Sequence, residues 1–257
     1  MYIQIDNFLW LMLYLSFPLI SQSVFDNSVN SIFIENNTIT DIACVNNGDV
    51  APYIYINSID FSDLIISDKK SKFIDFILPA ILIEKEKIKK GYNYVLDKFD
   101  KDHINDTIKS LFNYCNCETY EALLLCLKEQ PNSIIIAQAA IESGWGTSRF
   151  FLEGNNLFGI HTSINDINKL EANNSSLVYV KKYNNISESI SHYLRTLAKG
   201  YAYETFRSSR LKDLSLFDLI QELIMYSARR ELYVKDLESI IDFNNLTKYD
   251  DFELKYD

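Results

Sequence analysis

The densest set of chemistry-bearing residues in the chain is Ala137-Gln138-Ala139-Ala140-Ile141-Glu142-Ser143-Gly144-Trp145-Gly146. Gln138 and Glu142 lie four apart, so on a helix they share one face. Glu142 falls in the last turn of an otherwise apolar helix, where the negative end of the helix dipole and apolar neighbours both disfavour a carboxylate. A carboxyl group that keeps its proton toward neutral pH can act as a general acid on a leaving oxygen. The same spacing also suits an exposed glutamate at a helix end. Trp145, between two glycines, offers either a stacking platform for a sugar ring or a plug over the helix end. Asn155-Asn156-Leu157-Phe158-Gly159 adds a polar turn, although Asn side chains in turns more often satisfy their own backbone than a ligand.

Other chemistries lack their residues. His161 and His192 have no second histidine at ligand spacing, and Cys115 and Cys117 form a C-x-C pair where zinc would want C-x-x-C. No phosphate loop, nucleophile elbow or Ser–His–Asp order stands out, so neither a metal nor a cofactor is expected. Cys126 lies among leucines and reads as a buried thiol. A bridge from Cys44 to Cys115 or Cys117 is open.

The elements that would position these residues are mainly helical. A helical pattern starts at Ser71 and is interrupted by Pro79; residues 84–90 (EKEKIKK) read as a solvated helix face. Residues 118–128 form another helix, ended by Pro131. Ser133 is a candidate cap for the helix that Gly144 and Gly146 terminate. Between residues 160 and 183 the Asn- and Ser-rich texture and Leu177-Val178-Tyr179-Val180 indicate a small β region, and residues 53–56 suit one short strand. Helices are expected from Ser187-Glu188 to Gly200, over 214–227 and over 232–243.

Composition narrows the class. With 257 residues, 47% of them hydrophobic and 23% charged, the chain can bury a substantial core. A net charge of −10 argues against nucleic acid and anionic membrane surfaces as partners. Seventeen Tyr and sixteen Phe suit a core, and also a carbohydrate groove. The apolar run 8–20 is short for a membrane span and fits a secretory signal, with cleavage near Ser23. It lacks the usual basic start, and an uncleaved anchor or a buried helix is the alternative. Residues 1–23 are thus read as signal or anchor and 24–50 as a linker.

Residues 137–159, AQAAIESGWGTSRFFLEGNNLFG, resemble the A-Q-A-x-x-E-S-x-W-G-x-S…N-N-L-F-G signature of the glucosaminidase family of peptidoglycan hydrolases, glycoside hydrolase family 73. KYNNISESI at 182–190 is similar to the start of that family's helix after its β-lobe. The resemblance is strongest to the Bax-type subgroup. Its C-terminal pattern stands here as Tyr226-Ser227, Arg229, Tyr233-Val234, Leu237, Ile240-Ile241 and Asn244-Asn245-Leu246, and its F-I-x-x-x-L-P stretch as residues 73–79. The resemblance implies a lysozyme-like, two-lobed, mainly α fold with a small β-lobe, preceded by a smaller helical N-terminal region. It implies an N-terminal Bax-type region at 51–116, a glucosaminidase domain at 117–247 and an acidic tail at 248–257. The implied activity is hydrolysis of the β-1,4 bond after N-acetylglucosamine in peptidoglycan, in the periplasm or cell envelope.

The family's general acid maps onto Glu142, and its motif tyrosines onto Tyr226, which would hold the acetamido group, and Tyr233. Gln138, Trp145, Asn156, Phe158 and Tyr233 are the expected substrate contacts. Ala228-Arg229-Arg230 replaces the family's usual T-D-P stretch. The β-lobe glutamate of better-known members has no motif here: Glu171 is the only glutamate between Glu153 and Tyr183, and Asp166 the other candidate. Inverting and retaining schemes need a second carboxyl group, whereas a substrate-assisted scheme uses the sugar's own acetamido oxygen. A lytic transglycosylase is the alternative within enzymes, though it would be expected to show a G-L-M-Q type turn. An inactive wall-binding protein is the alternative outside them.

Overall fold

The computed structural model describes residues 29–45, 48–172, 178–212 and 214–256. The expected secretory segment lies outside them. The described part of the expected linker carries structure: β1 (Ile32–Ile34) pairs in parallel with β3 (Tyr53–Tyr55), and β2 (Asp49–Val50) precedes β3. Fully buried Asn36 exchanges three hydrogen bonds with Asn57, at 2.7, 2.8 and 3.0 Å, which is how so polar a segment is held.

α1 (Ile66–Lys98) is one helix of 33 residues and runs straight through the break expected at Pro79. An interior proline costs about 3 kcal/mol. Phe73, Phe76, Ile77, Leu78 and Ile81 are all fully buried around it. At roughly 1.5–3 kcal/mol per buried side chain, packing outweighs the lost helix bond.

α2 (Asp106–Cys115) and α3 (Tyr120–Leu127) start on side-chain caps from Asn105 and Thr119 and form a hairpin. Cys115 and Cys126 are joined by a disulfide across it, with Cα atoms 5.9 Å apart. This corrects the reading of Cys126 as a free buried thiol; Cys44 and Cys117 are the free cysteines. The C-x-C spacing drew attention to the wrong neighbour, because the turn between two helices sets the distance.

α4 (Asn132–Ser143) and α5 (Arg149–Gly154) follow. A small antiparallel sheet of β4 (His161–Thr162), β5 (Lys169–Glu171) and β6 (Tyr179–Lys181), in the order β4-β6-β5, forms the expected β region. α6 (Ile186–Lys199), capped by Asn185, packs on α1, where the Ser187 hydroxyl donates to buried Glu84. After a 3-10 turn at Tyr201–Tyr203 come α7 (Glu204–Ser209), α8 (Leu216–Gln221) and α9 (Glu231–Phe243). The helix expected over 214–227 therefore stops at Gln221. Residues 222–230 continue as turns, ending at Arg230 with φ 50° and ψ −120°, a conformation no helix can pass through.

The C-terminal segment is built into the fold. β7 (Glu253–Leu254) pairs in parallel with β2, and Asp250 sits on the N-terminus of α4. Asp250 accepts from the Ser133 amide at 2.7 Å and its hydroxyl at 2.8 Å. Ser133, expected to cap α4, is thus capped by a residue from the far end of the chain. A carboxylate there also complements the helix dipole. The architecture is mainly α with a small β-lobe, as the resemblance implies.

Candidate active site

α4 carries Glu142 in its final turn, and both ends of the helix are fixed. At its start Asn132 donates to the Tyr249 carbonyl at 2.7 Å and accepts from Lys85 of α1 at 2.6 Å. At its end Gly144, Trp145 and Gly146 all have left-handed backbone, with φ of 60°, 58° and 77°. Buried Ser143 clamps that turn, donating to the Ala139 carbonyl at 2.6 Å and accepting from the Gly146 amide at 3.0 Å. Glu142 therefore projects from a rigid stub.

Its surroundings are aromatic. The Tyr233 hydroxyl lies within hydrogen-bonding reach of the carboxyl, and Arg229 contributes a positive charge. Tyr193, Tyr203 and Tyr226 also feel its charge. Burial is the largest influence on Glu142 and pushes its pKa up to about 7, against the lowering effects of Tyr233 and then Arg229. The residue as a whole is only partly buried, although its carboxyl lies mostly inside. An acid poised to give up a proton near neutral pH is the chemistry this arrangement supports.

The expected site residues divide into two groups. Gln138, Tyr226 and Tyr233 join Glu142, but Gln138 is 0% and Tyr233 1% exposed. Gln138 is held between two phenols, accepting from Tyr193 at 2.5 Å and donating to Tyr233 at 3.1 Å. It cannot touch a glycan, and the expected substrate contact is corrected to an internal one. Tyr233 likewise serves Glu142, with its ring stacked on Tyr226 at 5.3 Å. The Tyr226 amide donates to the Leu223 carbonyl, but its hydroxyl bonds to no other described residue.

Asn156 and Phe158 are also internal. Asn156 is 1% exposed, donates to the carbonyls of Ile160 and Lys181, and accepts from the amides of Phe158 and Ile160. Its amide has no capacity left for a sugar, because it staples the turn to β6. Phe158 lies face to face with Tyr193, ring centroids 3.9 Å apart. Trp145 is half-buried, edge-on to Phe73 at 5.7 Å, with the Lys70 ammonium 5.2 Å from its ring. The same ammonium lies 4.9 Å from the ring of Phe243, which is 84% exposed.

Sequence reasoning missed Tyr193, Tyr203 and Gln130. Tyr193 was visible only as one apolar position on α6; a tyrosine there must also satisfy a buried hydroxyl, and that was the available signal.

Glu171 stands apart. It is exposed on edge strand β5, where its backbone carbonyl accepts from Arg149 at 2.6 Å. Asp166 is engaged by Lys181 at 2.6 Å and by Thr162, and its pKa is lowered by these partners against a raising effect of burial. Among the described residues, the groups that shift Glu142 are Tyr233 and Arg229, neither of them a carboxylate. Among the described residues no cluster of three His, Cys, Asp or Glu side chains could hold a metal ion.

The Glucosaminidase family, described as mannosyl-glycoprotein endo-beta-N-acetylglucosaminidase, matches residues 118–246. The chain is 31% identical over 111 residues to Protein bax of Escherichia coli (strain K12), covering 40% of this chain and 39% of that one. The chain thus spans about two fifths of the length of that relative. Among solved structures, the catalytic domain of the autolysin Auto from Listeria monocytogenes aligns at 24% identity over 63% of this chain and 97% of that one, with a TM-score of 0.40. With half its length matched, Glu142 included, the chain belongs to the glucosaminidase family.

Proposed function

We propose that the protein is an exported peptidoglycan hydrolase that cleaves the β-1,4 bond after N-acetylglucosamine, with Glu142 as general acid. One observation carries this reading: a carboxyl at the end of a clamped helix, held protonated toward pH 7 by burial among tyrosines, on a residue that is still partly exposed. Protonated Glu142 gives its proton to the glycosidic oxygen as the C1–O bond breaks. The acetamido oxygen of the same sugar closes on C1, and the Tyr226 hydroxyl holds that group in place. Water then opens the ring intermediate, returning a proton to the Glu142 carboxylate. This scheme asks for one enzymic carboxyl group.

A lytic transglycosylase would use the same acid, with the product closed onto the sugar's own 6-hydroxyl instead of water. The NNLFG turn in place of a G-L-M-Q type turn favours hydrolysis. The test is digestion of purified peptidoglycan, read by mass spectrometry. Reducing-end N-acetylglucosamine from the wild type, and at least a 10²-fold loss for Glu142→Gln, is the expected result. Anhydro products would assign the transglycosylase reaction. No cleavage under any condition would leave a wall-binding protein.

A further inference from the structure

We infer that Gln130, Tyr193 and Gln138 form an interior hydrogen-bond chain that aims the Tyr233 hydroxyl proton at Glu142, which makes Gln138 and Tyr193 positioning residues for that carboxyl group. Its consequence for turnover rests on Glu142 being the acid; its effect on the carboxyl group does not.

The direction of the chain follows from counting protons. The Gln130 side-chain amide donates to the Tyr193 oxygen at 2.9 Å. A phenol has one proton, and that of Tyr193 goes to Gln138 Oε1 at 2.5 Å. With its oxygen committed to Tyr193, the Gln138 amide presents Nε2 to the Tyr233 oxygen at 3.1 Å. Tyr233 then keeps one proton, and the carboxyl this hydroxyl acts on is Glu142, one turn of α4 beyond Gln138. Every dipole in the sequence points the same way, and in a dry interior such bonds reinforce one another. The chain begins at Gln130, whose Oε1 is buried without a partner.

Packing keeps the chain in register. Phe158 covers one face of Tyr193 at 3.9 Å, Tyr226 stacks on Tyr233 at 5.3 Å, and Gln138 is wholly inside. Leaving a buried Oε1 unsatisfied at the far end carries a cost.

A donor held on the carboxylate favours the ionised form and opposes the effect of burial. Without Tyr193's hydroxyl, Gln138 can turn, the Tyr233 proton is no longer aimed, and Glu142 should hold its proton to higher pH. The other groups facing Glu142 are Arg229 from the turn before α9, Tyr203 from the 3-10 turn and Tyr226 from the turns after α8. Arg210 acts on Tyr193 from behind. All stay in place in a Tyr193→Phe variant.

The experiment is a carbon-13 NMR titration of the labelled Glu142 carboxyl in the intact chain, for wild type, Tyr193→Phe and Gln138→Met. Both variants should titrate higher than wild type by roughly half a pH unit, the scale of one neutral hydrogen bond read as a pKa. In kinetics the upper limb of the kcat/KM profile should move up by the same amount and kcat should fall several-fold, with KM unchanged. A wild-type titration in either folded variant overturns the chain. Gln138→Met keeps the test available if Tyr193→Phe does not fold, because it leaves the Tyr193–Phe158 stack intact. The titration needs no substrate, so an inactive protein would count against the functional reading alone.

Discussion

A Cβ on Gly146 would lie 2.7 Å from the Phe61 ring, and 2.9 Å from Phe73 of α1. The turn that closes α4 is therefore moulded against residues that precede it, Phe61 and Phe73. Phe61 and Phe73 meet edge to face at 6.2 Å, and both contact Phe151 of α5, so one aromatic cluster supports α1, the Gly144–Gly146 turn and α5 together. Gly146 also has φ +77°, where any side chain is strained. Gly146→Ala should cost about 2 kcal/mol or more, combining overpacking with left-handed strain, and lower the melting temperature by several degrees. Activity at permissive temperature should fall as well, because the same turn fixes Glu142. A melt within a degree of wild type would remove the proposed support.

Glu142 should make the protein less stable as pH rises. Burial pushes the folded carboxyl up to about 7, against the 4.5 of a free glutamate. Below pH 4.5 it is protonated whether folded or unfolded and contributes nothing. Between the two values the folded state holds the extra proton, so stability falls as pH climbs, and above 7 the ionised group is a standing penalty of about 1–3 kcal/mol. Glu142→Gln should therefore melt several degrees higher than wild type at pH 8 and close to it at pH 4.5. Calorimetry at the two pH values checks the difference. In parallel, wild-type kcat/KM should decline above about pH 7, where the acid loses its proton.

Much of this was legible in the sequence, in one respect more than in others. The helix ending in Glu142 could be read because local rules wrote it: helix formers, then Gly144 and Gly146. Gln138 was placed correctly on the face of Glu142 and assigned the wrong partner. Spacing gives a face, but whether that face meets solvent or another helix is decided by α6 and α9, which arrive 55 and 95 residues later. Asn156 shows the same limit, since its partners Ile160 and Lys181 are joined only once the β-lobe folds. Pro79 and the Cys115–Cys126 bridge were misread because tertiary packing overrode a local signal.

That bridge closes a short loop, its cysteines eleven positions apart. Chain-entropy arguments give such a crosslink about 2–3 kcal/mol. Cys115→Ser with Cys126→Ser should lower the melting temperature by several degrees without changing kcat/KM at 25 °C, because α2 and α3 carry none of the catalytic groups. A melt unaffected by the double substitution or by reductant would show that the bridge is not formed in solution.

Tyr226→Phe separates a substrate contact from a core tyrosine. The ring packs between Tyr203 and Tyr233, at 6.0 and 5.3 Å, and the phenylalanine keeps that packing. The hydroxyl bonds to no described residue, so its loss should leave the melting temperature within a degree or two. If it holds the acetamido group in the transition state, kcat/KM should drop about 10–100-fold. A fall in stability matching the fall in activity would make it a core residue.

Glu171→Gln asks whether the enzyme supplies a second carboxyl group. Glu171 lies exposed on an edge strand, and Arg149, which could have oriented its side chain, bonds its backbone carbonyl and pairs with Glu153 at 3.0 Å. Among the described residues none is hydrogen-bonded to the Glu171 carboxylate, and an unoriented base contributes little to a water attack. If the acetamido oxygen does the work, Glu171→Gln should retain activity within a few-fold, and a thiazoline mimic of the ring intermediate should inhibit wild type strongly. The alternative has a distinct signature. A carboxylate that activates water or steadies the developing cation would cost about 10²–10⁴-fold on removal, partly rescued by azide attacking from the vacated side. Azide rescue with glycosyl azide of inverted configuration would therefore assign Glu171 the second role and end the substrate-assisted scheme. Strong thiazoline inhibition with an active Glu171→Gln variant would leave Glu142 as the one carboxyl group on which cleavage depends.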